Sequence, residues 1–231
     1  MNVIIDFRAS NDTIDALSKL NFNVIKTPEL TSVNQAISGH SDIMIHKASE
    51  KELVCEPTVY DYFESKLPGY KIIPGEKKLK EKYPYDIAYN VCLISNKIFC
   101  NIPNTEKMIL NRYEQMGFEI IHINQGYAKC SICIVSDNAI ITSDKGIMTT
   151  AERNGIDVLL TNDDDIKLPG FNHGFIGGAT GLISENKLAI NGNIEMHRNS
   201  KQIIDFCSRY GVEVISLNKN AIVDIGSIII I

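Results

Sequence analysis

A short pattern occurs five times along the chain, each time after a stretch with helical spacing of apolar residues. It consists of a turn residue, Asn or Gly, followed by an apolar, a polar and two apolar residues. Gly and Asn are favoured just past the last turn of a helix because they tolerate a positive φ angle. The residues that follow alternate with the period of a strand. The copies occupy residues 21–25, 69–73, 117–121, 155–159 and 211–215. They predict five similar modules that pack against one another.

A second feature recurs with the first. Downstream of each copy, one polar residue or glycine opens a further apolar run. These opening residues are Asp42, Asp86, Cys130, Gly174 and Asp224. The first four are spaced 44 residues apart, and the last step is 50 residues. Polar pairs at 95–96, 137–138 and 185–186 then separate apolar runs, which is typical of hairpin turns.

The two ends of the chain complete each other. The fifth module lacks a third strand, and the chain begins with an unpaired apolar strand at residues 3–7. Residues 228–231 are four isoleucines, which are too apolar to form an exposed sheet edge. We expect the N-terminal strand to pair with the last strand. The prediction is one α/β domain over residues 1–231, a five-module α/β-propeller with pseudo-fivefold symmetry.

Charge and composition narrow the classes of function. The 231 residues carry a net charge of −5, which disfavours general binding of nucleic acids. No run approaches the roughly 20 apolar residues of a membrane span, and Arg8 and Asp12 interrupt any signal-peptide core. The six cysteines are scattered through apolar segments, as buried free thiols would be. We expect a cytoplasmic protein.

Five modules of this kind around one axis resemble the pentein superfamily, and the resemblance covers essentially the whole chain. Within that superfamily, four phrases look like an uncharacterised bacterial branch near the guanidino-group-modifying enzymes. They are KYPYDIAYN at 82–90, QGYAKCS at 125–131, GFIGGA at 174–179 and DIGSII at 224–229. The superfamily includes arginine and agmatine deiminases, dimethylarginine hydrolases and amidinotransferases. It also includes the non-enzymatic sixth translation initiation factor.

The resemblance implies a mechanism in which a cysteine attacks the guanidinium carbon, a histidine transfers protons and carboxylates bind the guanidinium nitrogens. The chain departs from that pattern near its C-terminus. The enzymes carry the nucleophile at the start of the last module's middle strand, where this chain has DIGSI at 224–228 and no cysteine. Ser227 lies near that place, but a hydroxyl is a much poorer nucleophile than a thiolate. Whether the protein turns over a substrate therefore stays open.

The opening residues of the five apolar runs should lie at one end of such a ring and converge on its central channel. They bring together the carboxylates of Asp42, Asp86 and Asp224, the Cys130 thiol, and the imidazoles of His40 and His173. We predict a pocket for a guanidinium- or amine-bearing cation, with Cys130 and His173 as catalytic candidates. Asp42, Asp86, Asp224, His40 and Asn90 form the predicted ligand-binding set, together with Arg8 for a substrate carboxylate. The alternative for each aspartate is a loop-capping role.

Cys130 occupies the same position in its module as the three aspartates do in theirs. The neighbouring Lys129 is expected to lower the pKa of its thiol. The alternative is a small buried apolar side chain. On a strand, Cys130 and Cys133 would lie on opposite faces, which argues against a metal or redox pair. His40, Asp42 and His46 form only a loose metal pattern, so we expect no metal and no cofactor.

The glycines at 174, 177, 178 and 181 resemble a phosphate loop but lead into a hairpin rather than a helix. Close approach of backbone segments explains them better. Two functions remain open: a small-molecule site of the guanidino-modifying type, or a non-catalytic, macromolecule-binding protein that uses the ring as the sixth initiation factor does.

Overall fold

The computed structural model describes all residues, 1–231. Fifteen short strands form five three-stranded sheets, and seven α-helices connect them. The strands are β1 (Asn2–Ile5), β2 (Asn23–Lys26), β3 (Ile45–Ser49), β4 (Glu52–Cys55), β5 (Lys71–Pro74), β6 (Cys92–Ile94), β7 (Lys97–Cys100), β8 (Glu119–His122), β9 (Cys133–Ser136), β10 (Ala139–Thr142), β11 (Asp157–Leu160), β12 (Thr180–Ser184), β13 (Lys187–Ile190), β14 (Glu213–Ser216) and β15 (Ile229–Ile230). The helices are α1 (Asn11–Lys19), α2 (Ser41–Met44), α3 (Tyr60–Lys66), α4 (Lys107–Gln115), α5 (Ala128–Ser131), α6 (Lys145–Arg153) and α7 (Ser200–Arg209).

Every sheet repeats one topology. An antiparallel pair of strands leads into a helix, and the chain then returns as a strand parallel to the middle one. In the third sheet, for example, β7 pairs antiparallel with β6 and parallel with β8. The strand orders are β3-β4-β5, β6-β7-β8, β9-β10-β11, β12-β13-β14 and β15-β1-β2. The predicted five-module architecture is confirmed.

The N-terminal strand closes the last module, as predicted. β15 pairs antiparallel with β1, with Val3 opposite Ile230 and Ile4 opposite Ile229. β1 in turn pairs parallel with β2. The apolar C-terminal segment is therefore paired rather than exposed.

Two or three residues past the end of each of the five long helices, the turn residue of the repeat has the backbone conformation that the repeat predicts. The φ angle is +66° at Asn21, +91° at Gly69, +74° at Gly117, +76° at Gly155 and +71° at Gly211. Such angles are accessible to glycine without steric cost and to asparagine at a small cost. Each helix therefore ends at a fixed point and directs the chain into the parallel strand.

The apolar faces of helices and sheets form the core between modules. On α7, Ile203, Phe206 and Cys207 are buried at helical spacing, and burial of a Phe side chain contributes about 2–3 kcal/mol. All six cysteines are free and buried. None of the helices has the length and apolar character needed to cross a bilayer.

One detail of the prediction is wrong: the opening residues do not begin strands. Asp42 lies in α2 and Cys130 in α5, each a single helical turn that ends before its strand. Asp86, Gly174 and Asp224 lie in turns or loops five or six residues ahead of β6, β12 and β15. These segments are buried on every side at the ring centre. Their apolar runs are therefore continuous, and the spacing of apolar residues cannot distinguish a strand from a helical turn.

Candidate functional site

The segments that precede the first strands meet at the centre of the ring, as the sequence predicts. Their polar side chains are almost completely buried. The exposed fractions are 1% for His40 and Asp42, 2% for Asp86 and Cys130, and 3% for Asp224. Buried polar groups of this kind require partners within the protein, so their hydrogen bonds define the site.

Asp42 is the acceptor at the centre of one cluster. Its Oδ2 accepts hydrogen bonds from Cys130 Sγ at 2.9 Å and from Ser227 Oγ at 2.7 Å. Its Oδ1 is buried and has no hydrogen-bond partner in the protein. Burial raises the pKa of this carboxyl group above its ordinary value. Three modules distant in sequence are joined at this one carboxylate.

Asn90 positions Cys130. Its Oδ1 accepts the backbone N–H of Lys129 at 2.7 Å, and its Nδ2 donates to Cys130 Sγ at 3.2 Å. The side chain thus caps the single turn α5 and orients the thiol at the same time. Asn90 does not line the cavity described below, so its role is to hold Cys130.

The electrostatic environment of Cys130 is opposite to the expected one. Burial, followed by the negative charge of Asp42, raises the pKa of the thiol well above its ordinary value. The Lys129 ammonium group does not contact the thiol; its Nζ donates to Ser227 Oγ at 3.2 Å. In the free protein Cys130 is therefore a protonated thiol that donates to Asp42.

His40 and Asp224 form a second buried pair. His40 Nε2 lies 3.8 Å from Asp224 Oδ1, too far for a hydrogen bond, and both ring nitrogens of His40 lack a partner. Burial lowers the pKa of His40, so the imidazole is neutral near pH 7. Asp224 accepts the backbone N–H groups of Gly226 and Phe175, each at 2.9 Å. Burial nevertheless raises the pKa of Asp224 to about 6.

Glycines leave the space that these two side chains occupy. A Cβ atom on Gly178 would lie 2.1 Å from Asp224 Oδ1, and one on Gly174 would lie 2.4 Å from Asp224 Cβ. A Cβ on Gly226 would lie 2.3 Å from the Cβ of His40. The close approach predicted for the glycine-rich segment is confirmed. Gly174 and Gly178 leave room for Asp224, whereas Gly177 and Gly181 lie directly against neighbouring backbone segments.

A cavity of about 240 Å³ opens beside these groups. Its polar lining consists of His40, Cys130, Asn172, His173 and Asp224, and its apolar and aromatic lining of Ile37, Tyr127, Leu168, Phe171 and Phe175. The catalytic candidates Cys130 and His173 therefore share one cavity with Asp224 and His40.

His173 has a defined tautomer in this cavity. Its Nδ1 lies 2.8 Å from the Gly174 carbonyl oxygen, which can only accept a hydrogen bond. Nδ1 must therefore carry a proton, and in the neutral tautomer Nε2 is the nitrogen that can accept one. The ring also packs edge-on against Phe175 at 5.8 Å between centroids. His173 is thus a proton acceptor held by its own loop.

Four predicted ligand residues lie outside the cavity lining, namely Asp42 and Asn90, described above, together with Asp86 and Arg8. Asp86 Oδ2 accepts the Tyr127 hydroxyl at 2.6 Å, so Asp86 positions an aromatic wall rather than a ligand. The Arg8 guanidinium is occupied by Asp6, with Nε at 2.9 Å from Oδ1, and by backbone carbonyl oxygens at 35–36. Arg8 therefore holds the turn after β1, and its contact with a substrate carboxylate stays a prediction.

The loose pattern of His40, Asp42 and His46 is not assembled. His46 Nε2 lies 2.8 Å from the hydroxyl of Tyr113 in the core, away from the other two. The structure instead places His40 and Asp42 beside Cys130. The expectation that Cys130 and Cys133 lie on opposite faces assumed that both are on one strand, whereas Cys130 lies in the helical turn α5.

Sequence reasoning missed the aromatic residues Tyr127, Phe171 and Phe175. Tyr127 lies three residues before Cys130, and Phe175 lies two after His173. Proximity to candidate residues was the only available signal, because aromatic residues in apolar runs are more often core residues. A second, larger cavity of about 820 Å³ is lined by residues from the hairpins, with Asp42 and Lys129 in its wall. Asp42 thus separates two cavities.

Comparison with known proteins places the chain. The family of unknown function DUF6873 matches residues 4–229. The chain belongs to this family. No curated protein matches the sequence, so further comparison of the DUF6873 chain depends on its structure.

Solved structures with the same fold are guanidino-group-modifying enzymes. One is the dimethylarginine dimethylaminohydrolase of Pseudomonas aeruginosa in complex with citrulline, with TM-score 0.56, 6% identity, and coverage of 93% of this chain and 91% of that one. Another is the agmatine deiminase of C. jejuni, with TM-score 0.55, 8% identity, and coverage of 94% and 87%. A third is the inosamine-phosphate amidinotransferase of Streptomyces griseus, with TM-score 0.55, 10% identity, and coverage of 97% and 93%. The DUF6873 chain therefore has the pentein fold, as its repeats predicted.

Proposed function

We propose that the 240 Å³ cavity binds the guanidinium or amine head of a cationic small molecule. The observation that carries this proposal is Asp224, a buried carboxylate in a cavity whose other walls are mainly aromatic and aliphatic. A buried carboxylate without a cationic partner is unfavourable, and a planar cation with several N–H donors would relieve that cost.

The aromatic wall supports a cationic rather than a neutral ligand. Tyr127 and Phe175 lie 6.3 Å apart with their rings inclined at 35°. The faces of such rings carry negative potential, and a desolvated cation over one of them gains about 2 kcal/mol. Tyr127 is held in place by its hydrogen bond to Asp86. Carboxylate and ring faces together match a guanidinium ion better than an aliphatic neutral group.

The structural relatives favour an arginine-like ligand. One of them is complexed with citrulline, and another is named for agmatine. Their likeness to this chain is one of fold, and the ligand class comes to this chain as part of the proposal. The same relatives are small-molecule enzymes, so they lend no support to macromolecule binding in the manner of the sixth initiation factor.

Cys130 is the proposed nucleophile if the protein has hydrolytic activity. A cation bound against Asp224 would place positive charge in the cavity that Cys130 lines, and the pKa of the thiol would fall. The thiolate would then attack the guanidinium carbon, and the departing amine would take up a proton. Water would release the product and restore the thiol. His173, whose Nε2 has a free lone pair, is the proposed proton carrier.

Binding is tested by isothermal titration calorimetry and thermal shift with agmatine, arginine and citrulline. Wild type is compared with Asp224→Asn and with the matched control Asp137→Asn, at an exposed hairpin turn. A ligand at 100 times its Kd raises stability by about 2.7 kcal/mol. We expect agmatine or arginine to bind wild type and the Asp137 variant but not the Asp224 variant. Equal binding to all three proteins would refute the proposed site.

Turnover is tested separately by release of ammonia or amine from whichever ligand binds. Cys130→Ala is compared with Cys207→Ala, which removes a buried thiol in the core of α7. Loss of activity in the first variant alone supports the proposed nucleophile. Activity that survives in Cys130→Ala rules this role out, while the binding proposal stands or falls on the calorimetry.

A further inference from the structure

Three metal-ligating side chains from two modules meet in the ring centre. The ligand atoms of His40, Asp42 and Cys130 lie within 4.8 Å of one another. All three residues are at most 2% exposed. They comprise one imidazole nitrogen, one carboxylate oxygen and one thiol sulfur, which is the donor set that zinc sites use.

The hydrogen-bond pattern of these side chains is incomplete. Both nitrogens of His40 and the Oδ1 of Asp42 are buried and lack a hydrogen-bond partner in the protein. The rest of the cluster is satisfied: Asp42 Oδ2 accepts two hydrogen bonds, and Asn90 donates to Cys130. Orphaned polar atoms are rare in buried sites and indicate a partner that the protein itself does not supply.

We propose that His40, Asp42 and Cys130 bind one Zn²⁺ ion. Zn–S bonds of about 2.3 Å and Zn–N or Zn–O bonds of about 2.0–2.2 Å place tetrahedral ligand atoms roughly 3.3–3.6 Å apart. The ligand atoms of the present cluster, which lie within 4.8 Å of one another, would move closer together when the ion binds. His40 and Cys130 also line the 240 Å³ cavity. The fourth position of the ion therefore faces the cavity, as in sites with three protein ligands and one exchangeable ligand.

Coordination changes protonation but not oxidation state. Cys130 loses its thiol proton to solvent as the Zn–S bond forms, and the hydrogen bond to Asp42 is replaced by a shared metal ion. Asp224, with Oδ1 3.8 Å from His40 Nε2, supplies the carboxylate that commonly orients a ligating imidazole. Zinc affinity is accordingly expected to fall as the pH is lowered.

The zinc proposal and the guanidinium proposal share Cys130, His40 and Asp224, but they are tested separately. With zinc bound, the Cys130 sulfur is not free to attack a guanidinium carbon. Zinc is therefore expected to inhibit any hydrolysis that depends on Cys130. Agmatine titrations on chelator-treated protein test the guanidinium site without the metal, so either proposal can fail alone.

The test uses the full chain, stripped with a chelator and then titrated with Zn²⁺ or Co²⁺. We expect one zinc ion per chain after gel filtration, and a thiolate-to-cobalt charge-transfer band in the near ultraviolet. The band should disappear in Cys130→Ala and persist in Cys133→Ala, which removes a buried thiol three residues away. His40→Gln should weaken zinc binding at least about tenfold. Failure to retain zinc, or a band that survives in Cys130→Ala, would overturn the proposal.

A measurement on wild type guards against variants that do not fold. X-ray absorption at the zinc edge should show one sulfur at about 2.3 Å together with nitrogen or oxygen ligands. A spectrum without sulfur would overturn the assignment of Cys130 as a ligand, whatever the variants do.

Discussion

Replacement of His46 by glutamine should change how the stability of the protein depends on pH. His46 is 5% exposed, its Nε2 lies 2.8 Å from the Tyr113 hydroxyl, and it also has a backbone hydrogen bond with Val91. Burial lowers its pKa from 6.5 to about 4. The folded protein therefore holds a neutral imidazole, whereas the unfolded chain takes up a proton below about pH 6.5.

The sign and size of the effect follow from that difference. A base whose pKa is depressed on folding contributes stability that is complete above the unfolded pKa and is lost as the pH falls toward the folded pKa. Between about pH 8 and about pH 5, the contribution of His46 to the free energy of unfolding should fall by about 2 kcal/mol. Glutamine retains hydrogen-bonding groups but does not titrate, so the variant lacks this loss.

The assay is urea unfolding of wild type and His46→Gln at several pH values, with the free-energy gap between them as the readout. The gap is required because other groups titrate in the same range; the pKa of Asp163, for instance, is raised to about 6 by burial and acts with the opposite sign. Tyr113→Phe is the matched control, because it removes the hydrogen bond to Nε2 but keeps the imidazole. We expect the gap for His46→Gln to narrow by about 2 kcal/mol at about pH 5. A gap independent of pH would refute the reasoning.

Three further substitutions test other parts of the account. Gly178→Ala places a methyl group 2.1 Å from Asp224 Oδ1. It should lower the free energy of unfolding in urea by about 1–3 kcal/mol and abolish agmatine binding in calorimetry. Unaltered binding would contradict the role of Gly178 in making room for Asp224. Arg8→Ala leaves the buried Asp6 carboxylate without its guanidinium partner; it should cost about 2–3 kcal/mol in stability with no change in the Kd for agmatine or arginine. A large rise in the Kd for arginine alone, which has a carboxylate that agmatine lacks, would instead support the predicted contact of Arg8 with a substrate carboxylate. Phe175→Ala should weaken agmatine binding about 2- to 30-fold at similar stability, because a cation–π contact contributes about 0.5–2 kcal/mol. An unchanged Kd would show that Phe175 does not contact the ligand.

The module architecture was predictable because its signals are local. A glycine or asparagine past each helix and an alternating strand after it are read within five residues, and all five turn residues have positive φ. Closure of the ring was also predictable, because residues 228–231 have no polar side chain with which to face water. The first feature depends on local chain stereochemistry. The second depends on the hydrophobic effect, which disfavours an exposed apolar segment wherever its partner lies in the sequence.

The sequence predicted which residues meet at the site, but not which partners their side chains contact. Register placed Asp42, Cys130 and Asp224 at the ring centre, but their partners come from distant modules. Lys129 is adjacent to Cys130 in sequence, yet its ammonium group bonds to Ser227, 98 residues away. Side-chain direction at a crowded centre depends on three-dimensional packing, which spacing does not encode.

The position of Arg8 was also open to a local explanation. Its partner Asp6 is only two residues away, so a local ion pair was available as an explanation from the sequence alone. A nearby carboxylate is a more economical partner for an arginine than an unknown substrate. His46 was likewise grouped with His40 and Asp42 by even spacing on one strand, whereas the helical turn α2 separates them.

The most direct test of the proposed cation site is a crystal structure of the chelator-treated protein with agmatine. The account predicts guanidinium density in the 240 Å³ cavity, within hydrogen-bond distance of the Asp224 carboxylate and against the rings of Tyr127 or Phe175. Agmatine bound in the 820 Å³ cavity instead would contradict it. So would an empty 240 Å³ cavity at a concentration that saturates binding in solution.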